Sequence, residues 1–206
     1  MYRRNLKYSR VKNLFKFASP KMDNVLVVES ALEYDACFHF EYSPDIVAFE
    51  AQPEGFYYSF CGKRLPYTPD FRVYDRVNGV RYIEVKPASK TLKQVFRDKF
   101  SALQSTANEL GVPLILVTER QIRVSPILNN LKLLHRYSGI QSLTPLHFKL
   151  LDLVKSSGMV RVRNLIEATN ESEGVVLAST LTWLSIGKLK ADLSSEALSR
   201  DSLVWC

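Results

Sequence analysis

Asp70, Glu84 and Lys86 are the residues from which a chemistry can be read. They stand in one stretch, Tyr67-Thr68-Pro69-Asp70-Phe71, a turn at Asn78-Gly79, then Tyr82-Ile83-Glu84-Val85-Lys86. Two carboxylates and an amine are the donor set of metal-assisted phosphodiester cleavage. Hard oxygens suit Mg²⁺, with Mn²⁺ as a substitute, and the amine orients water or neutralises charge on the phosphoryl group. Alternation along a strand puts Glu84 and Lys86 on one face and Val85 in the core, with the Val85 carbonyl available as a further ligand. The spacing alone arises often by chance. An Asp after Pro commonly marks a turn, and Glu-x-Lys on a strand is commonly a solvated ion pair. Apolar flanks, strand register and a basic helix downstream favour a site.

The register follows from the turn. A two-residue loop at Asn78-Gly79 would send Asp70 and Glu84 to opposite faces. A three-residue loop, Val77-Asn78-Gly79 with Gly79 left-handed, pairs Phe71 with Val85 and Val73 with Ile83 on the apolar face. Asp70 then meets Lys86, and Arg72 meets Glu84, on the other. The apolar pairing predicts this second register.

The neighbouring elements are legible too. Ser30 and Glu33 form an S-x-x-E capping box opening a helix with Leu32, Ala36 and Phe40 inward, stopped by Pro44. Glu33 reads both as a cap and as a carboxylate behind the strands that ligates metal or positions water; Glu29 is its rival. Ile46 to Phe49 reads as a strand, and Phe56 to Cys61 with Leu65 to Tyr67 as a hairpin turning at Gly62-Lys63. A helix is predicted over Thr91 to Leu110. Leu92, Val95, Phe96, Leu103, Ala107 and Leu110 lie on one face, with Lys90, Lys93, Arg97 and Lys99 near its start. Leu114 to Thr118 reads as a buried parallel strand. The order is α-βββ-α-β, an α/β domain.

Charge is unevenly placed along the 206 residues, which carry a net +7. Residues 1–24 hold seven Lys/Arg against one acid; residues 25–62 hold seven acids and no Lys/Arg. Residues 63–86 hold six bases and three acids, residues 87–136 eight and three, and residues 137–206 seven of each. An acidic segment enclosed by basic ones fits carboxylates that bind cations beside Lys/Arg that hold phosphates. In residues 1–24, Arg3, Arg4, Lys7, Arg10 and Lys12 interleave with aromatics as a basic arm suited to DNA. Lys90, Lys93 and Arg97 are the other DNA-binding candidates. Cys37, Cys61 and Cys206 lack metal or disulfide spacing, and two buried thiols are expected. His39, His135 and His147 are singletons read as structural or surface residues. No apolar run reaches a membrane span and no signal-peptide core is present, so a cytoplasmic protein without membrane contact is expected.

Residues 126–143 read as a connecting segment, helical from Ile127 to Tyr137, and a second domain is predicted over residues 144–206. Thr144-Pro145 caps its first helix, Val162 to Ala168 and Glu173 to Ile186 follow, and Lys188 to Leu193 with Ser202 to Trp205 form a terminal hairpin. Three helices and a wing describe a winged helix-turn-helix. A groove-reading helix needs Lys/Arg, and Glu171 to Gly187 has none. A docking module for a protein partner is therefore favoured over a DNA reader.

Four blocks in order carry a family resemblance. Ser30-Ala31-Leu32-Glu33, Val47-Ala48-Phe49-Glu50-Ala51-Gln52-Pro53, Thr68-Pro69-Asp70-Phe71 and Glu84-Val85-Lys86-Pro87 resemble the TnsA family, the endonuclease subunit of heteromeric cut-and-paste transposases. The resemblance covers a catalytic domain of about residues 25–125. It implies a restriction-endonuclease-like PD-(D/E)xK core with Glu33, Asp70, Glu84 and Lys86 as active-site positions. It further implies cutting at the 5′ ends of a transposon, beside a DDE transposase subunit, TnsB, and an AAA+ ATPase, TnsC. The short chain and small C-terminal domain resemble members in CRISPR-associated transposons. A restriction or junction-resolving nuclease of the same fold, or an inactive DNA-binding subunit, stands as the alternative.

Overall fold

In the computed structural model, which describes residues 13–139 and 142–206, β1 (Phe15–Ser19) pairs antiparallel with β2 (Asn24–Val28). The expected arm is therefore shorter than 24 residues. Phe17 is fully buried, with its ring 5.1 Å from Phe38 and 5.8 Å from Tyr34, so the hairpin is anchored by aromatic packing. Arg3, Arg4, Lys7, Arg10 and Lys12 lie outside the described residues.

Helix α1 (Ala31–Tyr42) starts where Ser30 accepts the Glu33 N–H at 3.1 Å. The return half of the capping box differs from expectation: Glu33 accepts from the Glu29 N–H at 3.0 Å and from the Ser30 hydroxyl at 2.8 Å. The helix is followed by β3 (Ile46–Ala51), the hairpin β4 (Phe56–Phe60) and β5 (Lys63–Tyr67), then β6 (Phe71–Asp75) and β7 (Gly79–Val85). The β4–β5 turn falls on Cys61-Gly62, one residue earlier than expected, with φ of 49° and 72°. Two successive positive φ values are what a tight hairpin requires, and they leave Cys61 exposed instead of buried.

Beyond β7 come α2 (Ala88–Thr91), α3 (Gln94–Glu109), β8 (Leu114–Val117) and α4 (Glu119–Ile122). The sheet runs β3-β6-β7-β8, antiparallel except for β8, which lies parallel to β7 as the continuous apolar run predicts. The single helix expected over Thr91 to Leu110 is broken at Leu92-Lys93. Its inward face is Phe100, Leu103 and Ala107, which join Phe56, Tyr58, Tyr82 and Leu114 in one core cluster. Leu92, Val95 and Leu110 are exposed at 69%, 73% and 56%, contrary to the predicted stripe. Phe96, also on the predicted stripe, is half-buried and packs against the same cluster, so the packed face runs from Phe96 to Ala107 and leaves out both ends of the predicted stripe.

The second unit runs from Ser125 to Cys206. Residues 126–143, expected to be a connector, belong to it. Helix α5 (Ile127–Tyr137) buries Leu128, Leu131 and Leu134. Asn130, 1% exposed, donates to the Leu193 and Glu196 carbonyls at 2.9 and 2.8 Å and accepts from the Leu198 N–H at 2.9 Å. Three good bonds are what a buried amide needs, and they tie α5 to the C-terminal loop. Then follow α6 (Pro145–Ser157), β9 (Met159–Arg161), α7 (Val162–Thr169), α8 (Glu173–Ser185), β10 (Lys190–Ala191) and β11 (Leu203–Trp205). The terminal hairpin gains β9 as a third strand, in the order β10-β11-β9. His147 is structural: its Nδ1 accepts the Thr144 N–H at 3.1 Å in a capping box. Along α8, Val176 and every residue from Ser179 to Leu184 are buried.

Among the described glycines, Gly55 is the one with no room for a side chain. A Cβ there would lie 2.0 Å from the Tyr67 carbonyl oxygen and 2.9 Å from Thr68 Oγ1. Gly55→Ala must push the end of β5 away. We expect a loss of about 1–3 kcal/mol in urea denaturation, the usual cost of overpacking; an unchanged midpoint would mean that the loop yields freely.

Candidate active site

Asp70 sits immediately before β6, Glu84 and Val85 end β7, and Lys86 follows. The hairpin closes over three residues, as the sequence argument requires, but these are Arg76-Val77-Asn78 and not Val77-Asn78-Gly79. Phe71 therefore pairs with Ile83, Arg72 with Tyr82 and Val73 with Arg81, a slide of two residues from the expected register. The cause is Asp75. Its Oδ1 accepts from the Val77 and Asn78 N–H groups at 2.8 and 2.9 Å, which fixes the loop one residue early. A two-residue slide preserves the faces. Continued by one position, the observed register sets Asp70 opposite Glu84.

The two carboxylates are buried, at 7% and 6% exposure, and Lys86 joins them. Its Nζ is 2.7 Å from Glu84 Oε1 and 3.4 Å from Asp70 Oδ2. The Val85 N–H donates to Asp70 Oδ2 at 2.8 Å. A strand residue sends its N–H and C=O to the same side, so the Val85 carbonyl leaves toward Asp70 as well. The other Glu84 oxygen accepts from the Tyr67 hydroxyl at 2.5 Å. Tyr67 is a contributor that the sequence reading missed. It ends the separate β4–β5 hairpin, and no periodicity in β6 or β7 points to it.

These groups line a cavity of about 490 Å³ that also receives Glu29, Glu33, Thr68 and Lys90. Lys93 and Arg97 are exposed near the start of α3 and do not line it. Burial, reinforced by the Glu84 charge, pushes the Asp70 carboxyl up to about 8. Burial also raises Glu33, against its hydrogen bonds from Glu29 and Ser30. For Lys86, burial alone would lower the ammonium, but Asp70 and Glu84 outweigh it and hold the pKa above its ordinary value. Lys86 is therefore held in its charged form at neutral pH.

Residues 43–119 match the family model described as TnsA-like endonuclease N terminal. This stretch is similar to the N-terminal domain of TnsA-like endonucleases. The match spans β3 to the start of α4 and includes Asp70, Glu84 and Lys86, while Glu33 precedes it. No curated protein sequence matches the chain. The TnsA-like domain supports a transposition-related nuclease, and its family implies work with DNA and with other Tn7-type transposition subunits. Among the described residues, no helix is long and apolar enough to cross a membrane.

The TnsA-like site offers a divalent cation two carboxylates and a carbonyl. Among the described residues no group of three or more His, Cys, Asp and Glu is placed to hold a metal. Oxygen donors of this kind are the ones that hard cations such as Mg²⁺ prefer. Glu33 has both oxygens engaged by the start of α1.

An aspartate whose pKa rises from 3.8 to about 8 on folding favours the fold in its protonated state. That stability is complete below about pH 4 and is lost as pH climbs through about 8. Asp70→Asn keeps an acceptor for the Val85 N–H and removes the charge. In metal-free buffer it should melt with the native protein near pH 4 and above it at pH 9, by more than about 1 kcal/mol or a few degrees. Parallel melting curves across that range would show that Asp70 is ionised at little cost.

Proposed function

We propose that this chain is a metal-dependent DNA endonuclease with a restriction-endonuclease-like core. In this reading it cuts the 5′ strand ends of a transposon during cut-and-paste transposition, beside the DDE transposase TnsB and the AAA+ regulator TnsC. The observation that carries the reading is the buried Asp70–Glu84 pair bridged by Lys86, inside the TnsA-like stretch.

Asp70, Glu84 and the Val85 carbonyl would hold Mg²⁺, or Mn²⁺ in its place. Bound there, the ion supplies Lewis acidity toward the phosphoryl oxygens and a water of lowered pKa. The chain's own groups do the rest. Lys86, held in its charged form, would offset the negative charge on the phosphoryl oxygens as a water oxygen bonds to phosphorus and the bond to the sugar oxygen breaks. Tyr67 holds one Glu84 oxygen, so the carboxylate presents a fixed edge. Glu33, which lines the same cavity, positions water or completes the ion's ligands. Lys90 at the rim, with Lys93 and Arg97 beyond it, and Arg3, Arg4, Lys7, Arg10 and Lys12 of the arm bind phosphates.

The C-terminal unit we read as a winged-helix-like module that docks to a protein partner. Its support is α8, which carries no Lys or Arg and is buried along most of its length, so it has no face to lay in a major groove.

Cleavage of transposon-end duplex, assayed with the partner transposase and Mg²⁺, should vanish in Asp70→Ala and fall by at least about 10²-fold in Lys86→Ala, the scale of one missing electrostatic stabiliser. Undiminished cutting by Asp70→Ala would refute the site. Deleting residues 1–12 should flatten the dependence of log Kd on log salt by roughly 0.9 for each phosphate the arm neutralises. A slope equal to that of the intact chain would leave the arm without a DNA role.

A further inference from the structure

Next to the site, the α2–α3 junction presents an apolar pair that the proposed chemistry does not use. Leu92, the residue after α2, is 69% exposed, and Val95, the second residue of α3, is 73% exposed. The chain breaks between them at Lys93, which is extended (φ −71°, ψ 131°) and gives α3 no side-chain cap. Single exposed apolar residues are ordinary, but these two stand three positions apart and face water beside a functional cavity. From Lys86 to Arg97 every charged residue is a cation: Lys86, Lys90, Lys93 and Arg97. Lys90, two residues before Leu92 in the chain, lines the cavity itself.

We infer that Leu92 and Val95 pack against sugars and base edges of the duplex beside the bond to be cut, while Lys90, Lys93 and Arg97 hold its phosphates. The location of that bond rests on the nuclease reading above. DNA is the occupant that matches both features. Phosphate rows call for spaced cations, and apolar side chains set between them can wedge a base step or line the minor groove. A protein partner is the poorer match, because interface cores are depleted of lysine and here Lys93 stands between the two apolar residues. The break at Lys93 adds to this, since it presents Leu92 and Val95 from two short helical ends and not from one smooth face.

The test uses the full chain and duplexes carrying one 2-aminopurine at successive positions, titrated without divalent cation so that binding is read apart from cutting. Leu92→Ser/Val95→Ser should weaken binding about tenfold, abolish the fluorescence rise of any unstacked 2-aminopurine, and leave the salt slope unchanged. Lys90→Ala/Lys93→Ala should instead reduce that slope by roughly 1 to 2. Both pairs are exposed, so melting temperatures should match the native protein and confirm intact folds. Native affinity and native fluorescence in the serine variant would overturn the inference. So would a serine variant that binds DNA normally but loses its partner transposase. Failure of the native chain to cut, with the serine effect on binding intact, would instead count against the nuclease reading alone.

Discussion

Two carboxylates buried side by side constrain everything around them. Asp70 and Glu84 face each other across neighbouring strands with one ammonium, Lys86, between them. Desolvation disfavours each negative charge, and each disfavours the other. The cavity lining holds four carboxyl groups, Glu29, Glu33, Asp70 and Glu84, against two ammonium groups, Lys86 and Lys90. The arrangement stands in part because Asp70 holds its proton up to about pH 8.

What keeps the groups in place is backbone more than side-chain packing. Asp70 is pinned by the Val85 N–H, Glu84 by the Tyr67 hydroxyl, and Tyr67 in turn by a strand end against which Gly55 leaves no room for a Cβ. The β6–β7 turn sets the register from the far end, through Asp75 and its bonds to Val77 and Asn78. β8, parallel to β7, takes the Lys86 N–H on the Val117 carbonyl at 3.0 Å and steadies the residue after the strand. Each of these contacts fixes a direction, and electrostatic stabilisation depends on directions set before the reaction begins.

Much of this was legible in the sequence, for reasons that differ by element. Strands β3, β6, β7 and β8 and helix α1 were found because their apolar patterns and stop signals agree with tertiary burial. The face shared by Asp70 and Glu84 was legible because parity depends only on whether the loop is odd or even. The pairing was not, because Asp75 bonds back to the Val77 and Asn78 N–H groups and closes the loop one residue early, so that Gly79, left-handed as expected, pairs with Asp75 outside the loop. The stripe on the helix after β7 misled for a plainer reason. Periodicity marks which residues share a face, and it says nothing about how far the sheet beneath that face extends, so Leu92 and Val95 were assigned to a core that stops short of them. Tyr67 was invisible because its partner lies in another sheet. The hairpin in residues 15–28 and strand β9 are short pairings, and their signal lies in what they pack against.

The C-terminal unit shows the same logic from the other side. A helix that is apolar or small all round belongs inside, and α8 has buried residues on every face between Val176 and Leu184. Its missing Lys and Arg and its burial are one fact seen in sequence and in structure. Thr180 and Thr182 are buried because their hydroxyls bond back to the Val176 and Ala178 carbonyls at 2.8 and 3.0 Å, which lets polar residues line an interior helix. With α8 committed to its own core, the excess positive charge of the chain lies in residues 1–136, which hold 21 of its 28 Lys/Arg, while residues 137–206 sum to zero.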